Sequence, residues 1–276
     1  NWDSGTLFVI GDEGTALVEV TTAGKLVSQM TLTGFEDTEG LTYIGDGKLV
    51  IVEERIQDVF LLTYAAGGTA DRSSLPGVSL GPTVGNIGLE GISLDPLTGN
   101  YILVKEKDPQ RVAEADIDFA MSSATPTDLF VPDLGVSDVS DVQTLTTVPS
   151  LIGTDDQDNL LIFSQESATL MEVTRTGKLL SSFDFARIAG NGEGVTIGPD
   201  GTIYVVGENP SLYVLSPSDS ACLGDINRSG VVDGMDLALL LGEWGACPGC
   251  SADLDSNGVV SGLDLALLLG AWGPCA

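Results

Sequence analysis

One short motif recurs in the first 216 residues and decides the fold: Thr38-Glu39-Gly40-Leu41-Thr42, Leu89-Glu90-Gly91-Ile92-Ser93 and Gly192-Glu193-Gly194-Val195-Thr196. A fourth, altered copy reads Val139-Ser140-Asp141-Val142. Each copy opens an apolar segment that ends at a turn, which is typical of a β-strand. A second apolar strand follows each turn, so the repeated unit is built from strands.

An acidic residue follows the second strand of each unit and forms another repeated position. The intervals between successive copies are 41, 52, 60 and 42 residues, close to the ~40–50 residues of a propeller blade. The pattern predicts an all-β propeller with five visible blades, of which the first lacks its inner strand and the last its outer strand. Five-bladed and six-bladed rings both fit it. The five acidic residues are Glu13, Glu54, Glu106, Glu166 and Glu208.

The composition of the chain excludes several classes of active site and binding partner. The chain of 276 residues has 40 acidic and 11 basic side chains, a net charge of −29 and no histidine. Without histidine it cannot build a Ser–His–Asp or Cys–His centre or a His-ligated zinc site. The charge would repel nucleic acid and anionic membranes, and it favours divalent cations. A solvated acidic surface is the alternative explanation. No apolar run approaches the ~20 residues of a membrane helix.

The repeated glutamates are the candidates for a functional site in the propeller. Equivalent positions of successive blades form rings, so several carboxylates should surround one mouth of the central channel. Like charges at this spacing need a neutralising cation, either from neighbouring basic side chains or from calcium. Alternatively, the glutamates specify the fold by accepting backbone N–H groups. The channel candidates are Glu39, Glu90, Glu193, Glu54, Arg55, Lys105, Glu106, Glu166 and Glu208, with Lys107 as a further neutralising group.

These residues resemble a known family. Together with the Glu-Gly motif, the segments Val52-Glu53-Glu54-Arg55, Lys105-Glu106-Lys107-Asp108-Pro109 and Ser164-Gln165-Glu166-Ser167 resemble the SdiA-regulated propeller family. More distantly they resemble the esterase-like, phytase-related propellers. The resemblance covers about residues 4–216. It implies a propeller with a polar channel and bound calcium.

The C-terminal region contains a duplication: residues 224–245 and 252–273 match at an offset of 28. Counted from Asp225 and Asp253, oxygen side chains fall at positions 1, 3, 5, 9 and 12 of a loop in each copy, with glycine at position 6 and a backbone carbonyl expected at position 7. This is the ligand pattern of an EF-hand-type calcium loop, so we expect two calcium ions. The predicted ligands are Asp225, Asn227, Ser229, Val231, Asp233 and Asp236, then Asp253, Asp255, Asn257, Val259, Ser261 and Asp264.

Each loop leads into one short apolar helix, with no helix before it. This arrangement over residues 222–276 resembles a type I dockerin, a module that docks enzymes onto cohesin domains. The resemblance implies a cohesin-like protein partner. Partner recognition in that family often uses a hydroxyl pair at loop positions 10 and 11. Here those positions hold Gly234-Met235 and Gly262-Leu263, so a different partner or a calcium-stiffened tail are alternatives.

The four cysteines flank the two copies and follow the same offset: Cys222, Cys247, Cys250 and Cys275. Pairing Cys222 with Cys275 and Cys247 with Cys250 obeys the duplication, and so does pairing within each copy. A four-cysteine zinc site is the alternative. Disulfides together with calcium loops predict a secreted protein, extracellular or at the cell surface.

The sequence therefore predicts a propeller over residues 1–216, a linker over 217–221 and a dockerin-like module over 222–276. The leading functional hypothesis is a secreted calcium-binding propeller whose channel binds a ligand or metal, attached through its module to a cohesin-type partner. The alternative is a calcium-dependent hydrolase of phosphate or carboxylic esters. A third hypothesis is a structural scaffold component.

Overall fold

The computed structural model describes residues 1–276 except 13–14, 189–190, 208, 217–222, 228, 230, 248, 256 and 276, and except the side chain of Arg187. The chain divides into two compact units, Asn1–Ser216 and Pro217–Ala276. Among the described residues, neither α-helix is long and apolar enough to cross a membrane.

The first unit is built almost entirely of short strands joined by turns, as the apolar runs between glycine and aspartate predict. In chain order the strands are β1 (Thr6–Ile10), β2 (Ala16–Thr21), β3 (Leu26–Thr33), β4 (Thr38–Gly45), β5 (Lys48–Glu53), β6 (Asp58–Thr63), β7 (Thr69–Asp71), β8 (Gly77–Ser79), β9 (Leu89–Leu94), β10 (Tyr101–Lys105), β11 (Arg111–Asp118), β12 (Ser123–Phe130), β13 (Asp141–Thr144), β14 (Leu160–Ser164), β15 (Thr169–Val173), β16 (Leu179–Asp184), β17 (Gly192–Ile197), β18 (Ile203–Gly207) and β19 (Ser211–Leu215).

In the described part of the first unit these strands form five sheets, numbered here in chain order. Their strand orders are β1-β2-β3-β7, β4-β5-β6-β8, β9-β10-β11-β12, β13-β14-β15-β16 and β17-β18-β19. Neighbouring strands are antiparallel except β3 and β7, which are parallel. The unit is thus a five-bladed propeller, which confirms the predicted fold class and decides against six blades.

The first sheet is built differently from the others. In sheets 2 to 5 the innermost strands are β4, β9, β13 and β17. The second strands of sheets 2, 3 and 4 each pack on the innermost strand of the next sheet, as β5 does on β9. Strand β1 packs on β4 in this same way. It therefore occupies a second-strand position, and sheet 1 reaches four strands because β7 comes from the connection between β6 and β8.

Apolar side chains fill the spaces between consecutive sheets. Four clusters of buried residues join sheet 1 to 2, 2 to 3, 3 to 4 and 4 to 5. The alternation within β5 shows how they form: Leu49 and Ile51 face sheet 1, whereas Val50 and Val52 face sheet 3. Burial on both faces of a blade explains why the second strands are nearly continuous apolar runs.

The glycine of the repeated motif is required where the innermost strands approach each other. A Cβ on Gly40 would lie 2.4 Å from the backbone oxygen of Glu90, and one on Gly91 would lie 2.7 Å from Cα of Asp141. Both distances are shorter than any side chain tolerates. The motif glycine therefore sets the spacing of the ring at its narrowest point.

The second unit contains the two predicted loop–helix copies. Helix α1 spans Gly234–Gly242 and helix α2 spans Gly262–Gly270. Two-residue strands link the copies: β20 (Val231–Val232) pairs with β23 (Gly273–Pro274), and β21 (Gly245–Ala246) pairs with β22 (Val259–Val260). Two equivalent pairs from the copies, Val232 with Val260 and Leu240 with Leu268, form one small core together with Ala252.

The close approach at Gly40 gives a direct test of the ring geometry. Gly40→Ala should lower the free energy of unfolding of the propeller by about 1–3 kcal/mol, because the added methyl group meets backbone atoms that cannot rotate away. Gly11→Ala is the matched control, since a Cβ there has no atom within 4 Å. Thermal denaturation followed by circular dichroism measures both variants, and equal melting temperatures would contradict the assigned packing.

Candidate functional site

A cluster of five carboxylates lies at one end of the propeller, and we call it the acidic mouth: Asp37, Glu39, Glu54, Glu90 and Glu106. Glu39 and Glu90 stand near the start of innermost strands β4 and β9, and Glu54 and Glu106 directly follow second strands β5 and β10. In an antiparallel pair, the start of one strand lies beside the end of its partner. Sheet pairing therefore brings both repeated glutamate positions to the same end.

Two carboxylate triads share Glu54 at the centre of the mouth. One carboxylate oxygen from each of Asp37, Glu39 and Glu54 lies within 4.8 Å of the other two, and the same holds for Glu54, Glu90 and Glu106. Backbone contacts fix this geometry: the Glu54 side chain accepts the N–H of Gly88 at 2.9 Å. Oxygen atoms from several carboxylates at such distances are the ligand type that calcium prefers.

The electrostatics of the mouth disfavour ionisation of its glutamates. Burial, followed by the charges of Asp37 and Glu54, raises the pKa of Glu39 to about 8. Burial, followed by the charges of Glu39, Glu54 and Glu106, raises the pKa of Glu90 to about 10. Burial and a hydrogen bond with Asp37 raise the pKa of Glu54 to about 7. A cation among these groups would lower all three values.

The basic side chains contact only the edge of the mouth. The Arg55 Nε atom lies 2.7 Å from Oδ2 of Asp37, and Lys107 Nζ lies 2.6 Å from carboxylate oxygens of both Glu106 and Glu166. Lys105 is a further predicted neutralising group. Its ammonium group donates hydrogen bonds to the backbone oxygens of Lys107 and Pro109, and burial lowers its pKa against the opposing charges of Asp108, Glu106 and Glu54.

The remaining predicted channel residues lie further around the ring. Glu193 accepts a hydrogen bond from Gln165 Nε2 at 2.6 Å and is close enough to Glu39 to raise its pKa. Glu166 is half exposed and reaches the mouth only through Lys107. Glu208 lies outside the described residues, as does Glu13. The structure thus brings Glu39, Glu54, Glu90 and Glu106 together, with Glu193 beside them.

Two aspartates that the repeat analysis overlooked complete this end of the propeller. Asp37 belongs to the acidic mouth, and the buried Asp138 occupies the corresponding place in sheet 4. Asp138 accepts hydrogen bonds from the Ser164 hydroxyl group and the backbone N–H of Gln165 and Glu166. The sequence does mark both residues, because each aspartate stands immediately before a copy of the repeated motif, in Asp37-Thr38-Glu39 and in Asp138-Val139-Ser140.

A cavity of about 300 Å³ occupies the centre of the propeller. Polar side chains from three innermost strands line it, including Glu39, Asp141, Gln143 and Thr196. Burial raises the pKa of Asp141 to about 7, although its carboxylate accepts the backbone N–H of Val195 at 2.7 Å. The channel therefore carries titratable groups inside as well as at its mouth.

The second loop of the second unit brings three of its predicted ligands close together. In the second loop, carboxylate oxygens of Asp253, Asp255 and Asp264 lie within 4.8 Å of one another, and Gly258 at position 6 has φ +86°. Backbone N–H groups from Leu254 and Asp255 reach Oδ1 of Asp264. This donor set fits a calcium ion.

The first loop has equivalent hydrogen bonds from backbone N–H groups to its aspartates. Asp236 accepts the N–H of Asn227 at 3.0 Å, and Asp225 accepts that of Ser229 at 2.9 Å. Both loops end in a capping box, in which Asp233 or Ser261 caps the helix and the position-12 aspartate bonds back to it. The predicted position-12 residues are therefore oriented by their helices.

One disulfide resolves most of the cysteine alternatives. Cys247 is bonded to Cys250, which excludes pairing within each copy and a four-cysteine zinc site. Cys275 is also disulfide-bonded. Cys222 lies outside the described residues.

The comparison with known protein families identifies the first unit. A model of the family described as SdiA-regulated matches residues 1–216. The chain belongs to the SdiA-regulated family. The family match covers the propeller, including every residue of the acidic mouth.

Solved structures resemble this SdiA-regulated chain at low identity. A luciferin-regenerating enzyme is 13% identical, with 78% of this chain and 89% of that chain covered and a TM-score of 0.48. A protein of unknown function from Bacteroides caccae is 12% identical, with 78% and 73% covered and a TM-score of 0.44. Virginiamycin B lyase from Staphylococcus aureus is 12% identical, with 78% and 67% covered and a TM-score of 0.42. These similarities carry no information about activity.

The raised pKa values predict how stability depends on pH in a chelator. The folded protein holds protons on Glu39, Glu54 and Glu90 above their ordinary pKa of 4.5, whereas the unfolded chain has lost them. Their contribution to stability is complete below pH 4.5 and is lost as pH rises through about 7 to 10. We expect the melting temperature of Glu90→Gln, relative to wild type, to rise between pH 5 and pH 8. A pH-independent difference would contradict this assignment.

Proposed function

We propose that the propeller binds calcium at the acidic mouth, and that the second unit binds two further calcium ions and attaches the propeller to a protein partner outside the cell. The observation that carries the first part is the sharing of Glu54 between two carboxylate triads. A shared ligand lets five side chains converge on one small volume. Such convergence is unfavourable without a cation, because like charges repel at these distances.

The neighbouring basic groups support a divalent cation at this site. Arg55 and Lys107 each pair with an outer member of the cluster, Asp37 and Glu106 respectively. Glu39, Glu54 and Glu90 remain as three acidic groups at the centre. Each of the two triads offers three carboxylates to a calcium ion, and Glu54 is common to both.

The case for calcium in the second unit rests on duplication. The same ligand pattern occurs twice at an offset of 28, and the second loop brings three of its carboxylates within 4.8 Å. Each position-12 aspartate is held by its own capping box. An accidental acidic turn would not be repeated in the same register.

Attachment to a partner is supported by exposed apolar side chains on both helices. At loop position 11, Met235 is 62% exposed and Leu263 is 56% exposed, and the tryptophans after the two helices, Trp244 and Trp272, are also about half exposed. Exposed apolar residues in equivalent places suit protein contacts. A cohesin-like domain with an apolar recognition surface is the proposed partner. The Cys247–Cys250 disulfide supports a location in an oxidising compartment.

Calorimetric titration of the full chain with calcium tests the site at the mouth. Wild type should bind three ions, and Glu90→Gln should weaken the propeller site by about tenfold or more, because it removes a ligand charge. Glu114→Gln is the matched control: this half-buried glutamate of β11 lies outside both triads. Two ions bound by both wild type and Glu90→Gln would refute the propeller site and leave the loops intact.

Chelation and mutation test the loops separately. Asp253→Ala should remove one bound ion and lower the calcium-dependent melting temperature of the second unit, since binding to the folded state alone adds stability. Glu243→Ala, an exposed acidic change outside the loops, should leave both quantities unchanged. Intrinsic fluorescence of Trp244 and Trp272 reports this unit, and a transition unaffected by excess chelator would contradict the proposal.

Hydrolysis of esters is a second candidate function, favoured by one observation. Asp37, Glu39 and Glu54 bring one carboxylate oxygen each within 4.8 Å of one another, so a glutamate could act as general base on a water molecule activated by calcium. We expect calcium-dependent turnover of an aryl phosphate or aryl acetate that is lost in Glu39→Gln. Absence of turnover by the calcium-loaded wild type would exclude this function and leave calcium binding unaffected.

A further inference from the structure

A short disulfide-bonded turn leads into the second loop of the C-terminal unit. Cys247 directly follows β21 and is bonded to Cys250, which stands three residues before Asp253 at loop position 1. The backbone N–H of Cys250 donates to the carbonyl oxygen of Cys247 at 3.2 Å, and that of Asp253 donates to the carbonyl oxygen of Cys250 at 3.2 Å. The turn therefore positions the backbone of the first predicted ligand.

The same turn also contacts the middle of the loop. The backbone N–H of Cys247 donates to the carbonyl oxygen of Gly258, at loop position 6, at 2.9 Å. Strand β21 continues this contact, because its two residues pair with Val259 and Val260 of β22. Positions 1 and 6 are thus both held by hydrogen bonds to the disulfide-bonded residues.

These hydrogen bonds converge on one carboxylate. Asp253 is buried, and its side chain accepts the N–H of Asn257 at 3.1 Å through Oδ1 and that of Gly258 at 2.7 Å through Oδ2. The carboxylate therefore spans the loop between the two positions that the turn holds. It also belongs to the carboxylate triad of this loop, so a shift of the turn would move it relative to Asp255 and Asp264.

We propose that the Cys247–Cys250 disulfide is a redox switch for the second loop, which binds calcium tightly when the disulfide is formed and weakly when it is reduced. The inference rests on the proposed calcium binding of this loop. A low-molecular-weight thiol is the reductant. Its thiolate attacks one sulfur of the disulfide, and a second thiol then releases the protein, so two electrons and two protons yield two cysteine thiols and one oxidised thiol dimer. Both cysteines are half-buried and thus partly accessible to a small thiol.

Reduction acts through the conformational freedom of the turn. Without the bond, residues 247–250 gain backbone conformations that do not hold positions 1 and 6 of the loop. A calcium ion must then order the turn when it binds, and this cost lowers its affinity. Linkage requires the reverse effect as well, so bound calcium should shift the thiol–disulfide equilibrium towards the bonded form.

Calorimetric titration of the full chain with calcium tests the switch. The parent variant carries Asp225→Ala, which removes a predicted ligand of the first loop. A second variant adds Cys247→Ser and Cys250→Ser, and it should bind calcium at the second loop at least tenfold more weakly than the parent. Asp253→Ala in the parent identifies the heat of the second loop by abolishing it.

Ala246→Ser is the matched control. It introduces a serine beside the disulfide at an exposed position of β21, keeps both cysteines, and should leave the affinity of the second loop unchanged. Circular dichroism confirms that each variant retains its strands and helices. Equal affinity of the parent and the double-serine variant would overturn the proposal.

A second measurement uses wild type, so it does not depend on how the serine variant folds. The full chain is equilibrated with reduced and oxidised glutathione in calcium or in chelator, and alkylation with peptide mass mapping gives the bonded fraction of Cys247 and Cys250. Calcium should raise the ratio of bonded to reduced protein by the same factor by which the disulfide raises calcium affinity. A ratio independent of calcium would contradict the switch.

Failure of the proposed calcium site gives a different result from failure of the switch. Without a site in the second loop, the parent variant shows no heat that Asp253→Ala abolishes. Without a switch, that heat is present and the parent and double-serine variants have equal affinity. Both results reject the switch, and only the first rejects calcium binding by the second loop.

Discussion

The close approach of the innermost strands is the constraint on which the rest of the propeller depends. Gly40 and Gly91 bring neighbouring backbones to distances that no side chain permits. Because the preceding residue in each strand is a glutamate, the same approach forces Glu39 and Glu90 into one small volume. Packing of the ring and crowding of its charge are therefore consequences of a single two-residue motif. Sheet 4 departs from it, since Asp141 replaces the glycine and accepts backbone hydrogen bonds from Val142 and Val195.

The crowded glutamates have two possible roles, to specify the fold or to bind a cation. Glu54 accepts a backbone N–H from the loop before β9, as a residue that specifies the fold would do. The same side chain belongs to both carboxylate triads. One residue can hence position a loop and contribute to a cation site, so the structural and functional interpretations are compatible at this position. Glu166 serves neither role directly, because it contacts the cluster only through Lys107.

Much of this architecture could be predicted from the sequence, because the propeller blades and the C-terminal loop–helix copies repeat. The repeated glutamate positions predict five blades, and the offset of 28 predicts two loop–helix copies. Features without a repeat could not be predicted. Strand β7 is three residues long and joins a sheet to which its neighbours in sequence do not belong. The aspartate position of Asp37 and Asp138 occurs in only two copies of the motif. The hydrogen bonds from Lys105 to backbone oxygens follow from no sequence pattern. Cysteine pairing stayed open because the duplication allows more than one symmetric solution.

Strand β7 also has a mechanical consequence. It leaves sheet 2 after β6, pairs in parallel with β3 at the outer edge of sheet 1, and returns to sheet 2 as β8. Sheets 1 and 2 are in this way joined by backbone hydrogen bonds as well as by side-chain packing. Neither blade can open without breaking strand pairs of the other, so the two should exchange their amide hydrogens as one cooperative unit. Among the described residues sheet 5 has three strands, and no strand from another sheet pairs with it, so local opening of the propeller should begin there.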